Sequence, residues 1–122
     1  MICDRAFEFA VRIVRLCDTM VSRGFGSRHI AGQLIRCGTS VGANAEEAQE
    51  GQSKADYIAK MCVSGKEARE SGFWLRLAIA TRSVTQAEVE WELREANELR
   101  FMIRAAVRTA RSSADRGHSP SN

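Results

Sequence analysis

Arginines recur along one side of the last long helical segment of this sequence. Arg100, Arg104, Arg108 and Arg111 follow one another at spacings of three or four residues, which places them within about 80° on one face of a helix. A row of guanidinium groups can neutralise successive phosphates of a nucleic acid without reading its bases. The pattern predicts a nucleic-acid-binding surface that basic residues elsewhere can extend: Arg5, Arg12, Arg15, Lys66, Arg69 and Arg76.

The start of the same helical segment is acidic. Its acidic side chains are Glu88, Glu90, Glu92, Glu95 and Glu98. Acids near the N-terminus of a helix and arginines near its C-terminus also suit the helix macrodipole, so the basic row has a structural explanation beside the functional one. No helix-turn-helix, zinc-ligand or aromatic RNA-binding motif accompanies the row, and we therefore expect binding of RNA or DNA without sequence specificity.

A second group of residues that could support chemistry is acidic. Its members form two short motifs, Glu46-Glu47-x-x-Glu50 and Glu67-x-x-Glu70. Their order resembles the carboxylate pattern of all-α nucleoside triphosphate pyrophosphatases. Carboxylates one helical turn apart can bind Mg²⁺ and thereby position a triphosphate. The alternative is a solvated face on which these acids pair with Lys66 and Arg69. We favour this alternative and predict no catalytic residue, no metal site and no cofactor.

The second helical segment carries a polar row beside an apolar one. The polar row consists of Gln33, Arg36, Ser40, Asn44 and Glu47. Asn44 lies almost on the apolar seam, where an amide destabilises the fold unless it is hydrogen-bonded and where it can fix helix register. Arg36 and Glu47 are about three turns apart, a spacing that serves neighbouring helices better than one ligand. We interpret the polar row as a structural network.

Four helices are predicted to position these residues. The chain has 122 residues, 44% hydrophobic content and one proline, which is typical of one compact domain. We predict helices over about 4–22, 28–50, 54–80 and 86–111, which form one domain over 1–111, and a disordered polar tail over 112–122. The expected N-terminal caps are Asp4, Ser27, Ser53 and a capping box from Thr85 to Glu88.

Apolar residues exceed what a single bundle of these helices needs. The first helix has two apolar rows that together span about 160°, whereas an outer helix of a monomeric bundle needs about 100°. We therefore predict that one of these rows, with residues of the third and fourth helices, contacts another subunit or a partner. This interface set consists of Phe9, Ile13, Leu16, Met20, Phe73, Trp74, Leu77, Trp91 and Phe101.

Charge, hydropathy and cysteine content set further limits. The net charge of +3 neither establishes nor excludes a nucleic-acid partner by itself. No apolar run approaches the ~20 residues that span a bilayer, and no basic segment leads into an apolar stretch at the N-terminus. We therefore expect a cytoplasmic protein that does not contact a membrane. The four cysteines show no close pairing and are expected to be reduced thiols.

A set of motifs in fixed order resembles a known family. The motifs are Gln33-x-x-Arg36, the run Ser40-Val-Gly-Ala-Asn-Ala-Glu-Glu47, the turn from Gln49 to Ser53, and Lys66-Glu-Ala-Arg-Glu-Ser-Gly-Phe-Trp-Leu75. They resemble the four-helix-bundle proteins encoded in intervening sequences of bacterial 23S rRNA genes, over nearly the whole helical part of the chain. The resemblance implies a homopentamer. It also links the chain to the accessory variability proteins of diversity-generating retroelements, which share this bundle and assist a reverse transcriptase by binding it and nucleic acid.

We predict an all-α, up-down-up-down four-helix bundle that assembles into a homo-oligomeric ring. From the resemblance we expect a non-catalytic accessory or scaffold protein that presents a basic surface to RNA or DNA and docks a reverse transcriptase. Two other functions stay open, namely a Mg²⁺-dependent nucleoside triphosphate pyrophosphatase and a purely structural oligomer whose partner is another protein.

Overall fold

The chain forms four α-helices in the computed structural model, which describes the backbone of residues 1–117 and the side chains of residues 1–113. The helices are α1 (Ile2–Met20), α2 (Phe25–Gln49), α3 (Lys54–Ala80) and α4 (Gln86–Gly117). α1 packs between α2 and α4, and α3 packs between the same two helices. Arg5 of α1 reaches Glu95 of α4, whereas Arg23 after α1 reaches Glu88, so these two helices run antiparallel. The predicted all-α four-helix bundle is confirmed.

Two of the predicted helix starts are capped as expected. Ser53 Oγ accepts the Asp56 N–H at 3.1 Å, and Thr85 and Glu88 form a reciprocal capping box with distances of 3.2 and 2.8 Å. Each cap satisfies backbone donors that the first helical turn leaves unpaired.

The expected caps of the first two helices are wrong. α1 begins after Met1, so Asp4 lies inside its first turn. α2 begins after Gly24, whose φ of 121° reverses the chain before Ser27 is reached. Ser27 is therefore inside the helix, and its hydroxyl instead donates to the Met20 carbonyl oxygen at 2.8 Å.

The last helix extends further than its sequence pattern predicted. The other predicted bounds lie within three residues of the observed ones, but α4 continues from the predicted end at Arg111 to Gly117. Residues 112–116 contain no proline or glycine, so they include neither of the two residue types that most disfavour a helix. The predicted disordered tail therefore does not begin at 112, and its remaining part, 118–122, lies outside the described residues.

The core is a single cluster to which all four helices contribute. The predicted apolar row of α2 is fully buried, with Ile30, Leu34, Cys37, Val41 and Ala48 all at 4% exposure or less. α3 and α4 also supply core residues, among them Met61, Leu75, Val89, Leu99 and Ile103. The apolar face that periodicity assigned to α2 is thus buried.

The prediction for α1 assigned the wrong row to an outer interface. Phe9, Ile13, Leu16 and Met20 are buried in the core of the single chain, which excludes them from a contact between chains. Part of the other apolar row faces outward: Phe7 is 63% exposed, and Val14 and Val21 are also exposed, whereas Cys17 of the same row is buried. Both rows are apolar, so periodicity could not decide between them.

Two glycines of α2 fix how α1 lies. A Cβ at Gly38 would come within 2.8 Å of Ile13 Cγ2, and one at Gly42 would come within 3.4 Å of the Ala6 backbone. These contacts bring α1 close to α2 with Ala6 and Ile13 facing inward. This close approach turns one row of α1 towards the core. We call it the Phe9 row, and it consists of Phe9, Ile13, Leu16 and Met20.

Candidate nucleic-acid interface

A groove runs between the first half of α3 and the last part of the described α4. We call it the basic groove, and it has a volume of about 660 Å³. From α3 it is lined by Met61, Cys62, Gly65, Lys66 and Arg69, and from α4 by Arg100, Ile103, Arg104, Val107, Arg108, Arg111 and Ser112. The structure thus brings the predicted arginine row of α4 together with two basic residues of α3.

The charge of the basic groove has one sign. Six of its lining residues are basic and none is acidic. Among the described side chains, none of these six takes part in an ion pair. Low-dielectric walls that carry one sign of charge concentrate the electrostatic potential and attract counter-charged ligands. The groove is therefore suited to phosphate groups.

The floor of the groove is apolar. Met61 and Ile103 are buried beneath it, and Val107 is nearly so. Gly65 lets α3 pack closely on α4, because a Cβ at this position would lie 3.2 Å from Ile103 Cγ2. Gly65 thus brings the two helices together at the groove that the six cationic residues line.

Two arginines predicted to extend this surface lie elsewhere. Arg5 is bound by Glu95 at 2.7 Å and Glu98 at 3.3 Å, and its hydrogen bond to Glu95 raises the pKa of its guanidinium. Arg12 lies 3.5 Å from Glu92 and stacks over the Trp91 ring at 4.3 Å. Neither lines the groove. Both join α1 to the acidic first half of α4, so their predicted role in phosphate binding is not supported.

Arg15 and Arg76 also lie outside the groove. Arg15 is exposed on α1, and Arg76 is exposed on α3 with its guanidinium 6.0 Å from the centre of the Phe73 ring. Neither contributes to the groove lining. The phosphate-binding candidates are therefore Lys66, Arg69 and the four arginines of α4.

The two acidic motifs do not converge on one site. Glu46, Glu47 and Glu50 line a recess at the end of α2 together with Asp56 and Lys60. Glu67 and Glu70 instead bind Arg36, with Glu67 3.5 Å from its guanidinium. Among the described residues, no group of three or more acidic, histidine or cysteine side chains is arranged to hold a metal ion. Glu47, Glu67 and Glu70 thus form ion pairs, but with Lys60 and Arg36 and not with the predicted partners Lys66 and Arg69.

Comparison with protein families places the chain. The model of the family described as 23S rRNA-intervening sequence protein matches residues 1–105. The chain belongs to this family. Its fold is also similar to a crystal structure from Bacteroides thetaiotaomicron, described as a protein with unknown function from the S23 ribosomal protein family. The two chains are 36% identical with a TM-score of 0.82, over 88% of this chain and 98% of the other. No curated protein matches the chain.

The motif residues of this intervening-sequence protein bind one another. Gln33 Oε1 accepts from the Arg36 guanidinium at 3.3 and 3.4 Å. Ser40 donates to the Arg36 carbonyl at 2.8 Å, and Asn44 donates to the Ser40 carbonyl at 2.9 Å. Glu47 is separate, because it faces Lys60 at 3.8 Å. The first four residues of the predicted polar row thus form a connected network, while Glu47 lies in the acidic recess.

Arg36 connects this network to α3. It binds Glu70, which also accepts the Trp74 indole N–H at 3.0 Å. That hydrogen bond and the charge of Arg36 hold the pKa of Glu70 below its ordinary value of 4.5. Trp74 is half-buried, and its ring meets those of Phe73 and His29 edge-on.

The other predicted interface residues differ in exposure. Phe101 is 56% exposed and Phe73 is 46% exposed, so both are available to a partner. Leu77 and Trp91 are half-buried and pack against the core, and Trp91 is covered on one face by Arg12. None of the described helices contains an apolar segment that could cross a bilayer.

Proposed function

We propose that this intervening-sequence protein is a non-catalytic scaffold that binds nucleic acid through the basic groove. The observation that carries the proposal is the convergence of six cationic side chains on one groove whose described lining includes no carboxylate. Contacts between arginine and phosphate supply affinity without sequence information. The proposed ligand is therefore the sugar-phosphate backbone of RNA or DNA.

Ion pairing elsewhere in the chain strengthens the field of the groove. Four glutamates in the first half of α4 bind arginines of α1 or of the turn after it: Glu88, Glu92, Glu95 and Glu98. These acids are thereby neutralised locally, and screening limits their influence beyond about 10 Å. The arginines at the far end of α4 take part in none of the ion pairs found among the described side chains. The macrodipole explains the order of charges along α4, but it does not explain the cations of α3 in the same groove.

The proposal extends to a homopentameric ring that docks a reverse transcriptase. The resemblance to the retroelement accessory proteins suggests both properties, and the exposed Phe7, Phe73 and Phe101 are apolar surface that another protein chain would cover. In a ring the basic groove would be repeated around the assembly, which raises the local positive potential.

Charge reversal in the groove tests the nucleic-acid proposal. We expect Arg104→Glu combined with Arg108→Glu to weaken binding of a fluorescent oligonucleotide at least about tenfold, because two phosphate contacts are lost and repulsion is added. The slope of log affinity against log salt should fall by about 1.4–1.8. Fluorescence anisotropy across a salt series measures both quantities.

The matched control changes the same charge outside the groove. Arg28→Glu combined with Arg94→Glu alters two exposed arginines that do not line it, and we expect affinity within about threefold of wild type. Equal losses in the two double variants would show that net charge alone drives binding. An unchanged affinity of the groove variant would refute the assigned site.

A further inference from the structure

We propose that Cys62 is a modification site for anionic disulfides, which the six cations of the basic groove attract to its thiol. The modified chain carries a mixed disulfide between Cys62 and one half of the reagent. The effect of this modification on nucleic-acid binding rests on the proposed function, whereas the reaction itself does not.

Cys62 and the six cations share one recess. The thiol lies in the wall of the basic groove and is half-buried. The Arg111 guanidinium donates to Cys62 Sγ at 3.8 Å, and Lys66 lies one helical turn further along α3. Independently of the thiol, the charge of the recess points to an anionic ligand, since its described lining includes no carboxylate. An anion that enters the groove therefore meets a nucleophilic side chain.

The other three cysteines have different surroundings. Cys17 and Cys37 are buried in the core, where burial raises the pKa of both thiols, that of Cys17 to about 12. Cys3 is half-buried on α1, and burial, followed by the charge of Glu46, raises the pKa of its thiol. Since the thiolate is the attacking species in disulfide exchange, a raised pKa slows the reaction of these three thiols at neutral pH. An acidic neighbour also repels an anionic reagent from Cys3.

The proposed reaction is a thiol–disulfide exchange. The Cys62 thiol releases its proton to water, and its sulfur attacks one sulfur of the reagent. A new S–S bond forms to Cys62 as the S–S bond of the reagent breaks, and the other half of the reagent leaves as a thiolate. The disulfide itself supplies the oxidising equivalents. Small disulfides that carry carboxylate groups, such as oxidised glutathione, belong to this class, and their adducts are reversible.

The cations act on the reagent before the bond forms. A cleft that is lined by one sign of charge raises the local concentration and the encounter rate of a counter-charged molecule by about 10–10³-fold. A neutral disulfide gains nothing from this field. Preference for a negatively charged reagent therefore distinguishes attraction by the groove from simple exposure of the thiol.

Reaction rates with disulfides of different charge test the proposal. The full chain is mixed at about pH 8 with dianionic dithiobis(nitrobenzoate) or neutral dithiodipyridine, and each rate is divided by that of free mercaptoethanol with the same reagent. We expect one thiol per chain to react rapidly, with the anionic reagent favoured at least about tenfold at about 50 mM salt and less at about 0.5 M salt. The rapid reaction should be lost in Cys62→Ser and kept in Cys3→Ser. A rapid label that mass spectrometry locates at another cysteine would overturn the proposal.

Matched charge variants show whether the groove causes the preference. Arg104→Glu combined with Arg108→Glu should lower the preference for the anionic reagent at least about tenfold. Arg28→Glu combined with Arg94→Glu changes two exposed arginines outside the groove and should leave the preference within about twofold of wild type. Equal preferences in the two double variants would overturn the assignment to the groove.

Two adducts of similar size test the effect on nucleic-acid binding. A mercaptopropionate group on Cys62 adds one carboxylate to the groove, whereas a cysteamine group adds one ammonium. We expect the first adduct to bind the fluorescent oligonucleotide at least about threefold more weakly than the second, because the two groups differ in charge beside the same phosphates. Equal affinities of the two adducts would overturn this effect.

The two proposals fail in different ways. Anion-selective labelling of Cys62 in a chain that binds no oligonucleotide would refute the proposed function and support the modification site. Oligonucleotide binding through the groove, without a preference of Cys62 for the anionic reagent, would support the proposed function and overturn the modification site.

Discussion

Glu70 is the residue through which two of the sequence motifs, one in α2 and one in α3, contact each other. Its carboxylate joins Arg36 of α2 to Trp74 of its own helix, so it is held by a charged partner and by an indole donor. Both interactions favour the ionised form and lower the pKa of Glu70. A carboxylate whose pKa is lower in the folded chain stabilises the fold above its unfolded pKa. That stabilisation is lost as the pH falls through the folded pKa.

Replacement of Glu70 should therefore change stability in a pH-dependent way. We expect Glu70→Gln to lower the free energy of unfolding by up to about 1 kcal/mol at neutral pH, a value limited by the partial exposure of the pair. The difference from wild type should stay constant above the ordinary pKa of 4.5 and shrink as the pH falls below it. Urea unfolding across pH measures it.

Glu90→Gln serves as the control for this measurement. Glu90 is exposed and takes part in none of the ion pairs found among the described side chains. Its replacement should leave stability within about 0.5 kcal/mol of wild type. A pH-independent loss for Glu70→Gln would mean that the carboxylate acts by packing and not by charge.

At the scale of helices, the close approach of α1 to α2 decides which surfaces remain free. Gly38 admits the Ile13 side chain and Gly42 admits the Ala6 backbone. This approach buries the Phe9 row and leaves Phe7, Val14 and Val21 outside. The outward apolar surface is thus a consequence of two small residues on the neighbouring helix.

Paired glycine replacements test this close approach. Gly38→Ala should destabilise the fold by about 1–3 kcal/mol, because its Cβ would lie 2.8 Å from Ile13 Cγ2 in a packed core. Gly32→Ala adds the same methyl group in the same helix where nothing lies within 4 Å, and it should stabilise by about 0.5–1 kcal/mol. Thermal and urea unfolding measure both, and equal signs would contradict the packing described.

The sequence predicted the helices better than their contacts. The capping box at Thr85 and the buried row of α2 depend on local chemistry and on one helical period, and both were recovered. The orientation of α1 and the partners of Arg5 and Arg12 depend on which helices become neighbours. Spacing within one helix does not contain that information. For the same reason the arginine row of α4 was predictable, but its meeting with Gly65 and Lys66 in one groove was not.

At the scale of the whole molecule, acidic and basic side chains occupy different regions of the surface. The net charge of +3 does not reveal this separation. The acidic half of α4 is paired with α1, whereas the basic half faces the cations of α3. An acidic recess at the end of α2 adds a region of opposite sign. Local potential near a cleft, and not the total charge, governs attraction of a charged ligand. Nucleic-acid binding by this chain is therefore compatible with its modest net charge.

Light scattering of the purified protein, alone and with a mixed-sequence DNA strand at 50 and 200 mM salt, tests nucleic-acid binding most directly. We expect a complex whose mass and nucleic-acid absorbance both rise at low salt, with affinity falling about a hundredfold at the higher salt if five phosphates are bound. The protein alone should have a mass of about 68 kDa if five 13.5 kDa chains form the proposed ring. An unchanged mass at 50 mM salt in the presence of excess strand would contradict the account.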